Sequence, residues 1–250
     1  MDLGLDGRVY IVSGASQGLG FASAEKLAAD GARLVLGSRS RDRVEQAAQR
    51  LGKHAVGVAV DLSDAGAAET LVRTALERFD RLDGAVISVG GPPAGPLSAT
   101  TDDQWRGAFE SVFLGSLRLA RAVLAHKEPV AVTFVLSTSV RTPLPNLAVS
   151  NGLRPGLAMA AKTLADEYGP RGSRVNVVLP GRILTGRIHE LEEASGDPAQ
   201  ARRAEEAAIP LRRLGTPEEF GTVVAFVTSP AAAYMSGSAV TVDGGATRAL

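Results

Sequence analysis

The sequence predicts a single-domain α/β fold: a doubly wound parallel sheet of about seven strands with helices on both faces. Two observations predict it. Short runs rich in Val, Ile and Leu alternate with longer helical stretches along all 250 residues, and the first six runs are apolar almost throughout, as strands covered on both faces are. The first run also passes through a glycine-rich turn, 13–20, straight into a helical stretch.

The strand-like runs are 9–13, 33–37, 55–60, 84–89, 130–136, 174–179 and 239–242, and the helical stretches are 18–30, 40–52, 64–79, 101–126, 150–169 and 216–229. Ser40 and Ser63 stand where helix N-caps belong, and Gly31 and Gly52 where helices should stop. Right-handed crossovers between consecutive strands then give a parallel sheet. With no linker, repeat or low-complexity run, residues 1–250 read as one domain. The stretch 182–215 breaks the alternation: it is long, charged and punctuated by Gly186, Gly196 and Pro198. In an open α/β sheet it would lie beyond the carboxyl ends of the strands, as a lid over a ligand.

Composition narrows the function. Apolar residues make up 45% of the chain but aromatics only 4%, so the core is built from Ala, Val, Leu and Ile. The absence of cysteine excludes disulfides, cysteine-ligated metals and thiol nucleophiles. Basic and acidic residues balance at 27 each, which argues against a nucleic acid or an anionic membrane as partner. His54, His126 and His189 are far apart with no acidic ligands at fixed spacing, so no metal is expected. Residues 1–10 carry Asp2 and Asp6, and no apolar run approaches the ~20 residues of a spanning helix, so a cytoplasmic protein without a targeting segment is expected.

The chemistry begins at Ser13-Gly14-Ala15-Ser16-Gln17-Gly18-Leu19-Gly20. Glycines there let the backbone turn sharply and approach a pyrophosphate, whose charge sits at the N-terminus of the following helix. The spacing is G-x-x-x-G-x-G rather than G-x-G-x-x-G, but the strand–turn–helix setting points to a dinucleotide.

With that turn, Asp61-Leu62 after the third strand, a turn holding Gly90 after the fourth, the run Arg174-Val175-Asn176-Val177-Val178-Leu179-Pro180-Gly181, the run Arg213-Leu214-Gly215-Thr216-Pro217-Glu218-Glu219 and the closing Val242-Asp243-Gly244-Gly245, the chain resembles the short-chain dehydrogenase/reductase family over its whole length. The resemblance implies a Rossmann-type sheet, oxidoreductase activity and a nicotinamide cofactor. It places Gly14, Ser16, Gln17, Gly18, Leu19 and Gly20 at the pyrophosphate and Asp61 and Leu62 at the adenine. Pro180, Gly181, Ile183 and Thr185 fall at the nicotinamide end, Gly90 is a further cofactor-binding residue, and a homo-oligomer, dimer or tetramer, is implied as well. Asp61 could instead cap the next helix, although Ser63 serves that role equally well.

The second strand bears on the choice of cofactor. An NAD site offers a carboxylate to the ribose about 20 residues past the glycines. This strand ends Leu36-Gly37-Ser38-Arg39, with Arg41 and Arg43 in the first turn of the next helix. Cations are disfavoured at a helix N-terminus, so Ser38 and Arg39 read as a 2′-phosphate site and NADP(H) as the cofactor. The plainer alternative is a solvated face neutralised by Asp42 and Glu45.

The resemblance fails at catalysis. Family members use a Tyr acid/base, a Lys four residues on, a Ser on the preceding strand and a helper Asn. The three tyrosines, Tyr10, Tyr168 and Tyr234, are followed four residues later by Gly14, Gly172 and Ser238, so no Tyr-x-x-x-Lys pair exists. Counting back from Arg174-Val175-Asn176 puts the Tyr position on Ser150 and the Lys position on Arg154. The strand serine then falls on Ser137, with Ser139 as the fallback, and the helper Asn on Val112. The segment Ser150-Asn151-Gly152-Leu153-Arg154 resembles a divergent, acyl-carrier-protein-reductase-like branch with Ser-Asn…Arg in place of Tyr…Lys. Arg154 keeps the charge but cannot relay a proton, and a serine hydroxyl is a poor general acid beside a tyrosine of pKa near 10. Ser150 could equally be a helix N-cap.

Two readings therefore stand: an NADP(H)-dependent oxidoreductase on a small carbonyl or alcohol, working through Ser137, Ser150 and Arg154, or an NADP(H)-binding sensor or subunit without turnover. Under either, NADPH should bind more tightly than NADH. Arg39→Ala should remove most of a gap of about ten- to 150-fold, the value of a charge-assisted hydrogen bond at ~1.5–3 kcal/mol. Equal affinities in calorimetry would refute the 2′-phosphate assignment.

Overall fold

A computed structural model describes residues 1–126 and 129–249. Seven parallel strands form one sheet in the order β3-β2-β1-β4-β5-β6-β7, with β1 Val9–Ser13, β2 Arg33–Ser38, β3 Ala55–Ala59, β4 Gly84–Ser88, β5 Ala131–Val135, β6 Arg174–Pro180 and β7 Ala239–Val242. The order reverses between β1 and β4, so the crevice at the carboxyl edge opens there. Alternate residues of β1 serve opposite faces. Val9 and Ile11 pack with Leu71, Leu119 and Leu157, whereas Tyr10 and Val12 pack with Leu27, Phe220 and Val224. The central strands β1, β4 and β5 are buried throughout, while the edge strands β3 and β7 are only half-buried.

The helices are α1 Gly18–Ala29, α2 Arg41–Leu51, α3 Ala67–Phe79, α4 Asp102–Ala108, α5 Gly115–Leu124, α6 Ala148–Tyr168, α7 Gly186–Glu193, α8 Pro198–Ala208 and α9 Pro217–Thr228. Ser40 caps α2 by accepting from the Arg43 N–H, and Gly52 closes it at φ +77°. Thr216 and Glu219 cap α9 reciprocally, and Arg213 holds the Glu219 carboxylate from outside. Among the described residues no helix is long and apolar enough to cross a membrane.

Four expectations need correction. Ser63 does not cap α3, which starts at Ala67 behind Gly66, because the Asp61 carboxylate takes both the Ser63 N–H and hydroxyl and holds 61–64 in a turn. The stretch 101–126 is not one α-helix: six residues, Phe109–Leu114, form a π-helical insert between α4 and α5. The stretch 182–215 is not irregular, since it holds α7 and α8, joined by the Arg202–Glu192 ion pair. Ser150 is not a cap either: Leu147 occupies that position, and Ser150 is buried in the first turn of α6.

Arg174 shows how the motif around β6 serves the fold. Its guanidinium donates to four carbonyls, Val227, Thr228, Ser229 and Met235, gathering the end of α9 and the approach to β7. Asn176 continues the seam by donating to the Met235 carbonyl and accepting from the Ser238 N–H. Hydrogen bonds to charged groups are worth ~1.5–3 kcal/mol each against water, and the four share one cation. Arg174→Met should therefore cost about 3 kcal/mol and lower the melting temperature by about 6–12 °C in calorimetry.

Candidate active site

The site starts at the crossing of β1 and β4. The Ser13 hydroxyl donates to the Ser88 carbonyl and accepts from the Ser88 N–H, fastening the two strands at their carboxyl ends. The chain then turns at Gly14, φ +59°, so close to β4 that a Cβ there would come within 2.6 Å of the Ser88 carbonyl oxygen. A Cβ on Gly20 would run into the Gly14 carbonyl. Ala15, between Gly14 and Ser16, is anchored by its N–H to the Gly37 carbonyl. Gln17 precedes α1 without a side-chain cap, so the first N–H groups of the helix, on Gly18, Leu19 and Gly20, face the crevice without partners from the chain before them. This cradle fits a pyrophosphate.

At one end of the crevice Arg39, just beyond Ser38, lines a hollow of about 590 Å³ with Val60, Asp61, Asp64 and Thr70. The Ser63 N–H holds the Asp61 carboxyl below the usual carboxylate range; partial burial opposes this, and the Ser63 hydroxyl and Arg39 charge reinforce it. Of the neighbouring arginines, Arg41 pairs with Glu45 on the surface. Leu62 is held in place by α5, whose Gly115 has no room for a Cβ against the Leu62 carbonyl.

At the other end β6 finishes at Pro180, and Gly181 donates its N–H to the Val242 carbonyl. Ile183 is buried and bridges to Gly215, while Thr185 precedes α7 with no side-chain bond. Thr185 faces the dinucleotide turn, its methyl 4.0 Å from where a Cβ on Gly18 would stand. Gly90 follows β4 into open space, and the Arg187 guanidinium of α7 donates to the Pro92 carbonyl nearby, tying the lid to that turn.

Between these ends stands the position that the sequence assigned to catalysis. Ser139 Oγ and Ser150 Oγ are 3.2 Å apart, both buried, and Arg154 lies one turn further along α6 with only 6% of its surface exposed. The serine opposite Ser150 is thus the fallback Ser139, not Ser137. Ser137 Oγ accepts the Ser139 N–H and caps the short turn Thr138–Val140, a bend that swings Ser139 toward α6. The count along the chain that put Ser137 first could not include the bend. Arg154 Nη1 donates to the Val135 carbonyl at 3.3 Å, and burial pushes its pKa down to about 10, still a cation at neutral pH. Asn151, the second residue of the Ser-Asn…Arg motif, turns to the backbone instead. Its amide donates to the Leu144 carbonyl and accepts the Leu144 N–H, pinning the loop before α6, so its task is structural. Val112, in the π-helical insert, packs with Ala108, Val149 and Leu153, which leaves an apolar surface where relatives place an amide.

None of the tyrosines reaches this position. Tyr10 is sealed in the core with its pKa pushed up to about 12, chiefly by burial, Tyr168 ends α6 and Tyr234 is fully exposed. Among the described residues no three His, Asp or Glu side chains gather as a metal would require.

The comparisons agree with this architecture. Residues 14–247 match a family model described as enoyl-(acyl carrier protein) reductase. An uncharacterized oxidoreductase of Methylorubrum extorquens is 33% identical over 246 residues, covering 96% of this chain and 98% of the relative. The short-chain reductase protein NovJ of Streptomyces niveus is 33% identical over 245 residues, covering 95% and 93%. The crystal structure of L-sorbose reductase from Gluconobacter frateurii, complexed with NADPH and L-sorbose, superposes over 100% of both chains at a TM-score of 0.93 and 30% identity. The chain belongs to the short-chain dehydrogenase/reductase family. It is therefore an oxidoreductase of the short-chain type, a family whose members use NAD(P).

Gly14→Ala should strain the turn by roughly 1–3 kcal/mol and displace it from the pyrophosphate. Binding of NADPH should weaken about tenfold or more in calorimetry, and unchanged affinity would refute the cradle.

Proposed function

We propose that this protein is an NADP(H)-dependent oxidoreductase interconverting a small carbonyl compound and its alcohol, with a serine pair and a buried arginine where relatives use tyrosine and lysine. The observation that carries this reading is the contact between Ser139 Oγ and Ser150 Oγ, with Arg154 one turn along the same helix. Gly14, Ser16, Gln17, Gly18, Leu19 and Gly20 would hold the pyrophosphate, Ser38 and Arg39 the 2′-phosphate, and Asp61 and Leu62 the adenine. Gly90, Pro180, Gly181, Ile183 and Thr185 would hold the nicotinamide end. A nicotinamide dinucleotide bound there supplies or takes up a hydride.

The chain's own residues do the rest. Two hydroxyls in mutual contact use one hydrogen between them, so the second hydrogen is free to donate to a substrate oxygen. Arg154 adds a fixed positive charge, which stabilises negative charge developing on that oxygen in a water-poor site. Neither group is a good acid near neutral pH, so the proton itself comes from water. Arg39 at the adenine hollow supports NADP(H), as does the NADPH bound in the L-sorbose reductase structure; the L-sorbose there supports a small polar carbonyl substrate. We infer further that the protein is a homo-oligomer, for which Phe109 and Met159, exposed on the helices that follow β4 and β5, offer apolar contact.

One observation favours the second reading, cofactor binding without turnover: the groups gathered here are serines and an arginine, none of which titrates near neutrality. Turnover with NADPH on a panel of ketones, aldehydes and sugars decides between them. Ser150→Ala should slow an active wild type about tenfold or more, and a loss under about twofold would remove Ser150 from the chemistry. The double change Ser150→Tyr plus Arg154→Lys should raise turnover of an activated ketone by about 10² to 10⁴, the usual worth of a positioned general acid. A wild type that binds NADPH but turns over nothing on the panel establishes the second reading.

A further inference from the structure

Among the described residues, Arg154 carries a charge that no acidic side chain compensates. Four arginines of the lid are paired: Arg182 with Glu205, Arg187 with Glu190, Arg202 with Glu192 and Arg213 with Glu219. Arg154 is buried more deeply than any of these, yet among the described residues it has no ion pair, and its one hydrogen bond goes to the neutral carbonyl of Val135. Taking a cation out of water without an anion is costly, so its charge acts on whatever enters beside it.

Its location says what that is. Val135 is the last residue of β5 and pairs with Val178 of β6, where the Leu136 N–H also bonds the Val178 carbonyl. Two residues further β6 ends at Pro180 and leads into Gly181, Ile183 and Thr185, the segment assigned to the nicotinamide. The guanidinium therefore stands at the same sheet edge as that end of the crevice. The carboxylate packed against this segment belongs to Asp243, which lies against Gly181, and its two oxygens accept the Gly245 and Thr247 N–H groups rather than facing Arg154.

We propose that Arg154 makes this site selective for the redox state of its cofactor, binding the reduced dinucleotide more tightly than the oxidised one. The inference rests on the cofactor assignment above. The oxidised nicotinamide ring bears a positive charge and the reduced ring is neutral, and the two molecules are otherwise alike. A fixed cation in a water-poor site repels the first and is indifferent to the second. A lysine there could relieve the repulsion by shedding its proton, whereas an arginine stays charged. Each tenfold of preference raises the midpoint of the bound two-electron couple by about 30 mV. In the reductive direction the oxidised cofactor then leaves readily, and the reduced form replaces it.

The test is calorimetric titration of NADPH, NADP⁺, NADH and NAD⁺, one at a time, onto the wild type, Arg154→Gln and Arg154→Lys. The fragment 2′,5′-ADP, which lacks the ring, serves as control. The wild type should prefer the reduced form about tenfold or more, by the same factor in both pairs, because the ring is common to them while Arg39 reads only the 2′-phosphate. Arg154→Gln should bring each pair within about twofold and leave 2′,5′-ADP binding unchanged, and Arg154→Lys should show a gap that narrows as pH rises, where the wild type keeps its own. Should Arg154→Gln not fold, Arg154→Met, which keeps an unbranched stem, takes its place. Equal wild-type affinities, tighter binding of the oxidised form, or a gap that survives the loss of charge overturns the proposal. A folded wild type that binds none of the four overturns the cofactor assignment itself, a result distinct from equal binding.

Discussion

The close approach of β1 to β4 governs the rest of the molecule. The Ser13 side chain exchanges two hydrogen bonds with the Ser88 backbone, and Gly14 passes over the Ser88 carbonyl with no room for a side chain. That contact fixes where the strand order reverses, and the reversal opens the crevice. It also sets the starting direction of α1, whose unpaired N–H groups point into the opening, and α1 in turn packs against α9 without space for a side chain at Gly221. Widening the contact by one methyl group would disturb the cradle, the helix behind it and the far edge of the core together.

On the other side of the crevice, α6 sets the chemistry. Its buried stripe runs Val149, Ser150, Leu153, Arg154, Leu157, Ala161, Leu164 and Ala165, a helical spacing that packs four residues against the sheet and brings two polar ones to the end of β5. Ser150 and Arg154 are placed by the same geometry that would place a tyrosine and a lysine. What differs is the chemistry delivered. A hydroxyl pair and a permanent cation stabilise charge on an oxygen but do not move a proton at neutral pH. Under the proposed function, the helix would supply electrostatic stabilisation without an acid.

The lid is held by charge rather than by packing. Residues 182–215 have one small apolar cluster, Ile188, Ile209 and Leu214; the Arg202–Glu192 ion pair joins α8 to α7, and Arg182 pairs with Glu205 of α8. The Arg187 contact with the Pro92 carbonyl joins the lid to the turn after β4 by a side chain and a single hydrogen bond.

The sequence by itself determined the strand-and-helix alternation, the dinucleotide turn and the absence of any Tyr-x-x-x-Lys pair, because each rests on short-range facts: apolar periodicity, glycine where a side chain would collide, and the residue four places along a helix. It also pointed to Ser150 and Arg154 as neighbours on one helix, since their four-residue spacing lies within α6. Only the tertiary structure decided that Ser139 rather than Ser137 meets Ser150, because the turn after β5 bends the chain by an amount no residue count contains. It decided, too, that Ser63 serves Asp61 instead of capping a helix, and that the charged stretch after β6 coils into two helices. Above all it decided that Arg154 is buried with no ion pair among the described residues. A residue's charge is written in the chain, but its compensation depends on which distant groups the fold brings near.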